Sequence, residues 1–572
     1  MAAACQPALL RYCGVNQGEN TMPPAPPHQP VHTPLLAANR RQALRLGLLG
    51  LAGIGAPALA GQGQGFTHCV ASGEPGPDQV LLWTRYASAQ DTALKWELAE
   101  DADFARVVAQ GDTVASPASD CCARAWAKGL QPGHWYFYRF IAPDGEKSPV
   151  GRTKTLPVGK VDKFRIAVFS CSNYGFGWFN AYGHAAEVGD FDLVLHLGDY
   201  FYEYERGNYP SAKEGLAERI LPDHETVTLA QYRERFATYR ADPDLQRLHQ
   251  LYPVISMWDD HEVANDAWKD GAENHQPDRE GSYAVREATA EQVYREWLPV
   301  SDAYWTQYEI GKLATLFRLE TRHLGRDKPF DLGDLMQGKR GPELEAALVA
   351  FRDGTWRDPA RTLLGVEQEA WLAGGLKAST RAGKPWQVLA QQIIMGQFGF
   401  ARTVVESMTQ NVDKTMRARI LAADRVQQSG IPYAMDMWSG YPAARERLYR
   451  AALEADANLL VLAGDSHNAW AFDHNHGGER VGVEMAGQSV TSPGFEHYLR
   501  WVKPDDLAAG VMAASPALKW CDTSRRGYLA VELTPKAATG EWRFLQTVRQ
   551  KGTALAGAKR MTVLAGQRRF SA

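Results

Sequence analysis

Residues 164–203, FRIAVFSCSNYGFGWFNAYGHAAEVGDFDLVLHLGDYFYE, decide how the chain is read. Two short apolar β-type runs lie in this stretch, Phe164–Phe169 and Asp192–Leu197, and each stops at residues able to bind metal. Cys171 follows the first run, Asp199 the second, and Tyr202 stands one short turn further on. Continuous apolar runs are the pattern of strands buried on both faces, and in open α/β sheets ligands sit outside the carboxyl ends of such strands. The chemistry is therefore expected at one sheet edge.

Outward from this stretch, apolar strands alternate with helical stretches, the mark of an α/β layer architecture. Further strands are expected at Pro253–Trp258, Leu313–Leu319, Trp386–Gln391 and Asn458–Leu462, and helices at Leu229–Ala237, Ala284–Trp297, Val366–Leu376 and Arg445–Ala455. Tyr528–Thr534 and Glu541–Val548 read as two antiparallel strands closing a sheet. Residues 321–362 and 403–430 are polar, and irregular insertions over the site are expected there. Before the stretch, from Phe66 to about Thr155, short alternating runs separated by Pro-Gly and Asp-Gly breakers indicate a small β-sandwich.

At 572 residues the chain has room for a large core and more than one domain. A hydrophobic share of 45% with 22% charged residues speaks against a largely disordered chain. The net charge of −4 gives no support to a nucleic-acid partner, whose footprint is a basic excess. Seven cysteines are too few for a disulfide scaffold at this length. Cys121 and Cys122 are adjacent, and the sequence leaves open whether they pair elsewhere or stay free.

Residues 39–60, NRRQALRLGLLGLAGIGAPALA, combine paired arginines, a moderately apolar stretch and an Ala-Leu-Ala ending. This resembles a twin-arginine export signal, with the twin-arginine translocase as partner during export. A membrane span needs about 20 strongly apolar residues, and this stretch is interrupted by Gly and Pro, so no stable membrane anchor is expected. The mature protein is expected in the periplasm or secreted. Upstream of Met22 the sequence looks like neither signal nor domain.

Four apolar runs end in metal-ligand types: Cys171; Asp199 with Tyr202; Asp259, Asp260 and His261; Asp465 and His467. Singly, an Asp can cap a helix, a Cys can fill a core and a His can bond a backbone carbonyl. As a set at strand ends they favour metal binding. Carboxylates suit hard cations, whereas a phenolate near neutrality calls for a strongly Lewis-acidic ion, for which ferric iron is the natural candidate. A mixed Cys/Asp/Tyr/His set beside an all-oxygen set predicts two unlike metals bridged by one carboxylate.

The motifs FSCSN (169–173), GDYFYE (198–203), WDDHEVANDAW (258–268) and AGDSHNAW (463–470) together resemble the PhoD-like alkaline phosphatases of the calcineurin-like metallophosphoesterase class. HCVASGEPGPDQVLLWTR (68–85), LGVEQEAWL (364–372), MWSGYP (437–442) and SVTSPG (489–494) extend the resemblance from about Phe66 to the C-terminus. One departure is Cys69, where the family usually has glycine. The resemblance implies an α/β fold with a central β-sandwich flanked by helices, preceded by a small fibronectin- or immunoglobulin-like sandwich. The expected division is a signal segment over 1–61, a sandwich over 66–155 and a catalytic domain over 162–572.

The resemblance further implies Fe3+ on Cys171, Asp199, Tyr202 and His467. Asp199 would bridge to Ca2+, completed by Asp260 and Asp465. Asp259 is expected to support its neighbour from behind, because neighbouring strand residues point to opposite faces. Asn265 is a candidate for a further calcium or for the phosphate. The implied activity is hydrolysis of phosphate esters, mono- or diesters, by metal-bound hydroxide, with His261 donating to the leaving group. A phospholipase D of the same family is the competing enzyme reading. A non-catalytic metal-binding protein is the reading from another class.

Overall fold

The computed structural model describes residues 64–571 apart from Tyr433. Residues 39–60, read above as an export signal, and Cys5 and Cys13 lie outside the described residues. Seven strands come first: β1 (Gly65–Gly73), β2 (Gln79–Ala87), β3 (Thr92–Ala99), β4 (Val107–Ala115), β5 (Cys122–Lys128), β6 (Trp135–Ile141) and β7 (Gly151–Lys154). β8 (Phe164–Phe169), β9 (Leu193–His196) and β10 (Pro253–Ser256) follow. The second half holds β11 (Thr306–Ile310), β12 (Ala314–Arg318), β13 (Trp386–Ala390), β14 (Leu459–Ala463), β15 (Ala469–His476), β16 (Glu479–Ala486) and β17 (Leu518–Asp522). The chain closes with β18 (Gly527–Leu533), β19 (Ala537–Leu545) and β20 (Leu555–Leu564).

The described residues form a mixed α/β structure with three sheets. Nine strands order as β20-β19-β18-β8-β9-β10-β1-β2-β5, seven as β11-β12-β13-β14-β16-β15-β17, and four as β4-β3-β6-β7. Alternation along the strands sorts the layers. Ile166 and Val168 of β8 join Leu316, Val388, Leu460 and Leu462 of the seven-stranded sheet in one buried cluster. Ala167 and Phe169, pointing the other way, pack with residues of the helices Asn180–Val188, Leu229–Arg240 and Tyr283–Trp297. On the far side, Phe317, Leu389 and Val461 pack with Leu372, Leu376 and Leu448 of the helices Val366–Arg381 and Pro442–Glu454. Helices thus cover both outer faces of two sheets that share an apolar interior.

The N-terminal strands are joined to the rest of the chain through a shared sheet. β1, β2 and β5 continue the nine-stranded sheet, because β1 pairs in parallel with β10 at Ser72↔Pro253 and Gly73↔Val254. Their other face packs on the four-stranded sheet through Val80, Leu82, Leu94, Leu98 and Tyr138. The two polar segments also differ from the irregular insertions expected. They carry the helices Gly341–Asp353 and Lys414–Gln428, the second of which buries Ile420, Ala423 and Val426 on one face. Lys414, Arg417, Arg419, Asp424 and Arg425 make the second helix polar on average, so its narrow apolar face reads as a polar segment. All five cysteines among the described residues are free thiols, Cys121 and Cys122 included.

Candidate metal centre

β8, β9 and β10 run parallel and in step, with Phe169 opposite His196 and His196 opposite Ser256. Their carboxyl ends are level, so Cys171, Asp199 and Asp260 emerge together. β14 belongs to the facing sheet and brings Asp465 and His467 from the other side. The ligand types thus meet between the ends of two sheets rather than on the edge of one. Glycine permits the approach at two points. A Cβ on Gly198 (φ +106°) would lie 2.4 Å from the Asp259 Cβ, and one on Gly464 would lie 2.6 Å from the Ser170 Cβ.

Backbone conformation marks the same spot. Cys171 (φ +59°), Asp199 (φ +52°), Asp465 (φ +60°) and His467 (φ +63°) all occupy the left-handed region. Non-glycine residues held there cost on the order of 1 to 3 kcal/mol each and gather where structure serves function.

Ligand atoms of Cys171, Asp199 and His467 lie within 4.8 Å of one another. The Tyr202 hydroxyl is 2.9 Å from Asp199 Oδ2 and 3.1 Å from His467 Nε2. His467 Nδ1 is 2.8 Å from the Pro493 carbonyl and donates to it, which leaves Nε2 as an acceptor. Asp199 and His467 thus both offer lone pairs where the phenol has a single proton, and the Ser492 hydroxyl lies 2.7 Å from the same oxygen. Burial first, then the Asp199 charge, push the Cys171 thiol and the Tyr202 phenol well above their ordinary ranges. Protein groups alone keep both protonated, so only a strongly polarising cation would draw out the thiolate and phenolate.

A second group places Asp199, Asp260 and His261 within 4.8 Å, and a third Asp259, Asp260 and Asp465. Asp199 Oδ1, Asp259 Oδ2 and Asp260 Oδ1 are buried without a hydrogen-bond partner. Crowded carboxylate oxygens with unused lone pairs fit hard cations. Burial, then the Asp436, Asp260 and Asp199 charges, raise Asp465 to about 8 against the pull of Arg322. His261 falls in one of these groups, although the sequence reading kept it apart from the ligands. Asp259 also departs from expectation. β10 ends at Ser256, so strand alternation does not reach residues 259 and 260, and both side chains turn to the same cluster.

Arg322 was missed from the sequence. It is fully buried, and its guanidinium donates to Asp259 Oδ1, to Asp465 Oδ1 at 2.8 Å and to both oxygens of Asp436 at 2.9 and 3.0 Å. Burial opposes its charge, but Asp259, Asp260, Asp436 and Asp465 outweigh that and hold the guanidinium firmly protonated. Glu320 fixes the turn by accepting the backbone N–H of Arg322 and of His323, both at 2.7 Å. The signal was available: Glu320-Thr321-Arg322-His323 follows β12 as the other site residues follow their strands.

Glu203 was also passed over. Its Oε2 lies 2.6 Å from His261 Nδ1, and its Oε1 accepts from the Asn265 backbone N–H at 2.9 Å and Asn274 Nδ2 at 2.8 Å. Burial would raise this carboxyl, but the His261 charge and these hydrogen bonds hold it below the usual range. The Asn265 side chain donates to Glu273 Oε2 at 3.0 Å.

Known proteins resemble this chain over most of its length. Residues 166–542 match the profile described as PhoD-like phosphatase, and residues 54–157 that of the PhoD-like phosphatase N-terminal domain. Alkaline phosphatase D of Bacillus subtilis (strain 168) is 33% identical over 516 residues, 86% of this chain and 79% of that protein. A solved structure described as "Structure of PhoD" superposes with a TM-score of 0.72 at 31% identity, covering 90% of this chain and 93% of that one.

Proposed function

Taking as premise that the chain belongs to the PhoD-like phosphatase family and is a phosphoric ester hydrolase, we propose that it is a secreted, metal-dependent phosphatase and phosphodiesterase. Cys171, Asp199, Tyr202 and His467 would hold ferric iron, and Asp199, Asp260 and Asp465 would hold calcium. One observation carries this reading: Asp199 belongs at once to a group with a thiol and an imidazole and to a group containing a second carboxylate. Export through the twin-arginine route on residues 39–60, a sandwich over 66–155 and a catalytic domain over 162–572 belong to the same proposal. Among the described residues no helix is long and apolar enough to cross a membrane.

Bound cations supply Lewis-acid charge neutralisation and an activated water. The chain does the rest. His261, held by Glu203 through Nδ1, presents its other ring nitrogen as donor to the leaving oxygen. Its ring lies 4.2 Å from that of Tyr202, centroid to centroid, which keeps it beside the ligands. Arg322 balances the excess carboxylate charge and ties Asp259 and Asp465 to one guanidinium. Elemental analysis of purified protein, with turnover of nitrophenyl phosphate and bis(nitrophenyl) phosphate before and after chelation, tests the proposal. Iron and calcium in the protein and activity lost on chelation are expected; full activity without metal would overturn it.

A further inference from the structure

Behind the segment that carries Ser492 lies a cavity of about 440 Å3, bounded by parts of 491–500, 524–526 and 545–549 with Phe176 and Glu214. Its size falls in the range of about 300 to 1,000 Å3 typical of small-molecule sites. Four arginines line it: Arg500, Arg525, Arg526 and Arg549. Arg525 is held by Asp522, Arg526 pairs with Glu496, and Arg500 lies 2.7 Å from Glu214. Arg549 donates to the Phe176 carbonyl at 2.6 Å and has no carboxylate partner among the described residues. Four guanidinium groups therefore face three carboxylates, and the surplus lies on Arg549.

The cavity shares a wall with the metal centre. Thr491 and Pro493 line it, while Ser492 between them contacts Tyr202 and the Pro493 carbonyl accepts from His467. Arg526 Nη1 donates to the His467 carbonyl at 3.3 Å. A planar guanidinium with unused donors matches an oxyanion in two-point fashion. Glu496 Oε2 is buried without a partner and calls for a donor. Free orthophosphate bears a protonated oxygen near neutrality and can supply that hydrogen, whereas sulfate cannot; a phosphate ester, whose second pKa is about 6, supplies it only below neutrality and is held at neutrality by the arginines.

We propose that this cavity is a second oxyanion site that takes a phosphate group. The phosphate comes either from a substrate carrying a second phosphate or from free orthophosphate; only the first source rests on the phosphoesterase reading above.

Two experiments on the metal-replete, full-length protein test it. In the first, hydrolysis of thymidine 5′-(p-nitrophenyl phosphate) is compared with that of the same ester bearing a 3′-phosphate. The second phosphate is expected to lower KM at least fivefold in the wild type, with the ratio falling to one in Arg549→Ala. In the second, calorimetric titration with orthophosphate is expected to show two binding events in the wild type and one in Arg549→Ala, the cavity event being absent with sulfate. Arg500→Ala, at a side chain 62% exposed, repeats both readings should Arg549→Ala not fold. A KM advantage identifies the substrate as the source; two orthophosphate events without that advantage identify free phosphate. Equal KM values together with a single orthophosphate event overturn the site. Failure to turn over either ester, with two orthophosphate events retained, counts against the phosphoesterase reading and leaves the site standing.

Discussion

Glu203 Oε2 and His261 Nδ1 are 2.6 Å apart, and neither side chain is more than 5% exposed. The carboxylate fixes which ring nitrogen carries the proton toward it and favours the imidazolium. Glu203→Gln keeps the shape and removes the charge. A fall in kcat of about 10- to 100-fold, with metal content retained, is expected from loss of such an orienting partner. The pH–rate profile should move with it, because the imidazolium loses its counter-charge; an unmoved profile would remove Glu203 from the mechanism.

His261→Ala is expected to lower turnover of alkyl esters by about 10² to 10⁴ and of nitrophenyl esters much less, since a good leaving group needs no proton. The proposed iron and calcium should stay bound. Metal lost in this variant would make His261 a ligand, as its place beside Asp199 and Asp260 allows.

Asp199→Asn should release both ions together, because the same side chain serves both groups. Elemental analysis checks this directly, and retention of one ion in full would contradict a bridging carboxylate.

Arg322→Met leaves Asp259, Asp436 and Asp465 without their common partner. Breaking buried pairs of this kind costs about 3 to 5 kcal/mol, read as a lower unfolding temperature in chelator-treated protein. Added calcium should recover part of the loss in the variant and less in the wild type.

Glu225 supplies a pH test away from the centre. Burial, then the neighbouring Glu203 charge, raise its folded pKa to about 7. The fold therefore binds this proton more tightly than the unfolded chain, and stability falls as pH rises from the ordinary carboxyl range to about 7. Glu225→Gln cannot ionise. Its unfolding temperature relative to wild type should climb across that interval and level off above it; a flat difference would contradict the assignment.

How much of this was legible in the chain follows from where the information lies. Strand ends in a parallel sheet are local signals, and Cys171, Asp199, Asp260 and Asp465 could be read from apolar runs that stop at ligand types. Which sheet each strand joins is not local. Asp465 and His467 lie on the facing sheet, and nothing in residues 459–467 distinguishes that sheet from the first. Arg322 escaped because a basic residue is not a ligand type, and its meaning depends on three aspartates brought from 63, 114 and 143 residues away. The helix Lys414–Gln428 escaped because its buried stripe is only three residues deep.

The parallel pairing of β1 with β10 also bears on how the chain can be divided. A cut in the linker after residue 155, which sequence spacing invites, would strip a neighbour from the strand that leads into Asp259, Asp260 and His261. The part after the cut, expressed alone, would expose a bare strand border at β10, ready to recruit other chains. β1 thus seals the border of β10, which leads into the candidate metal centre.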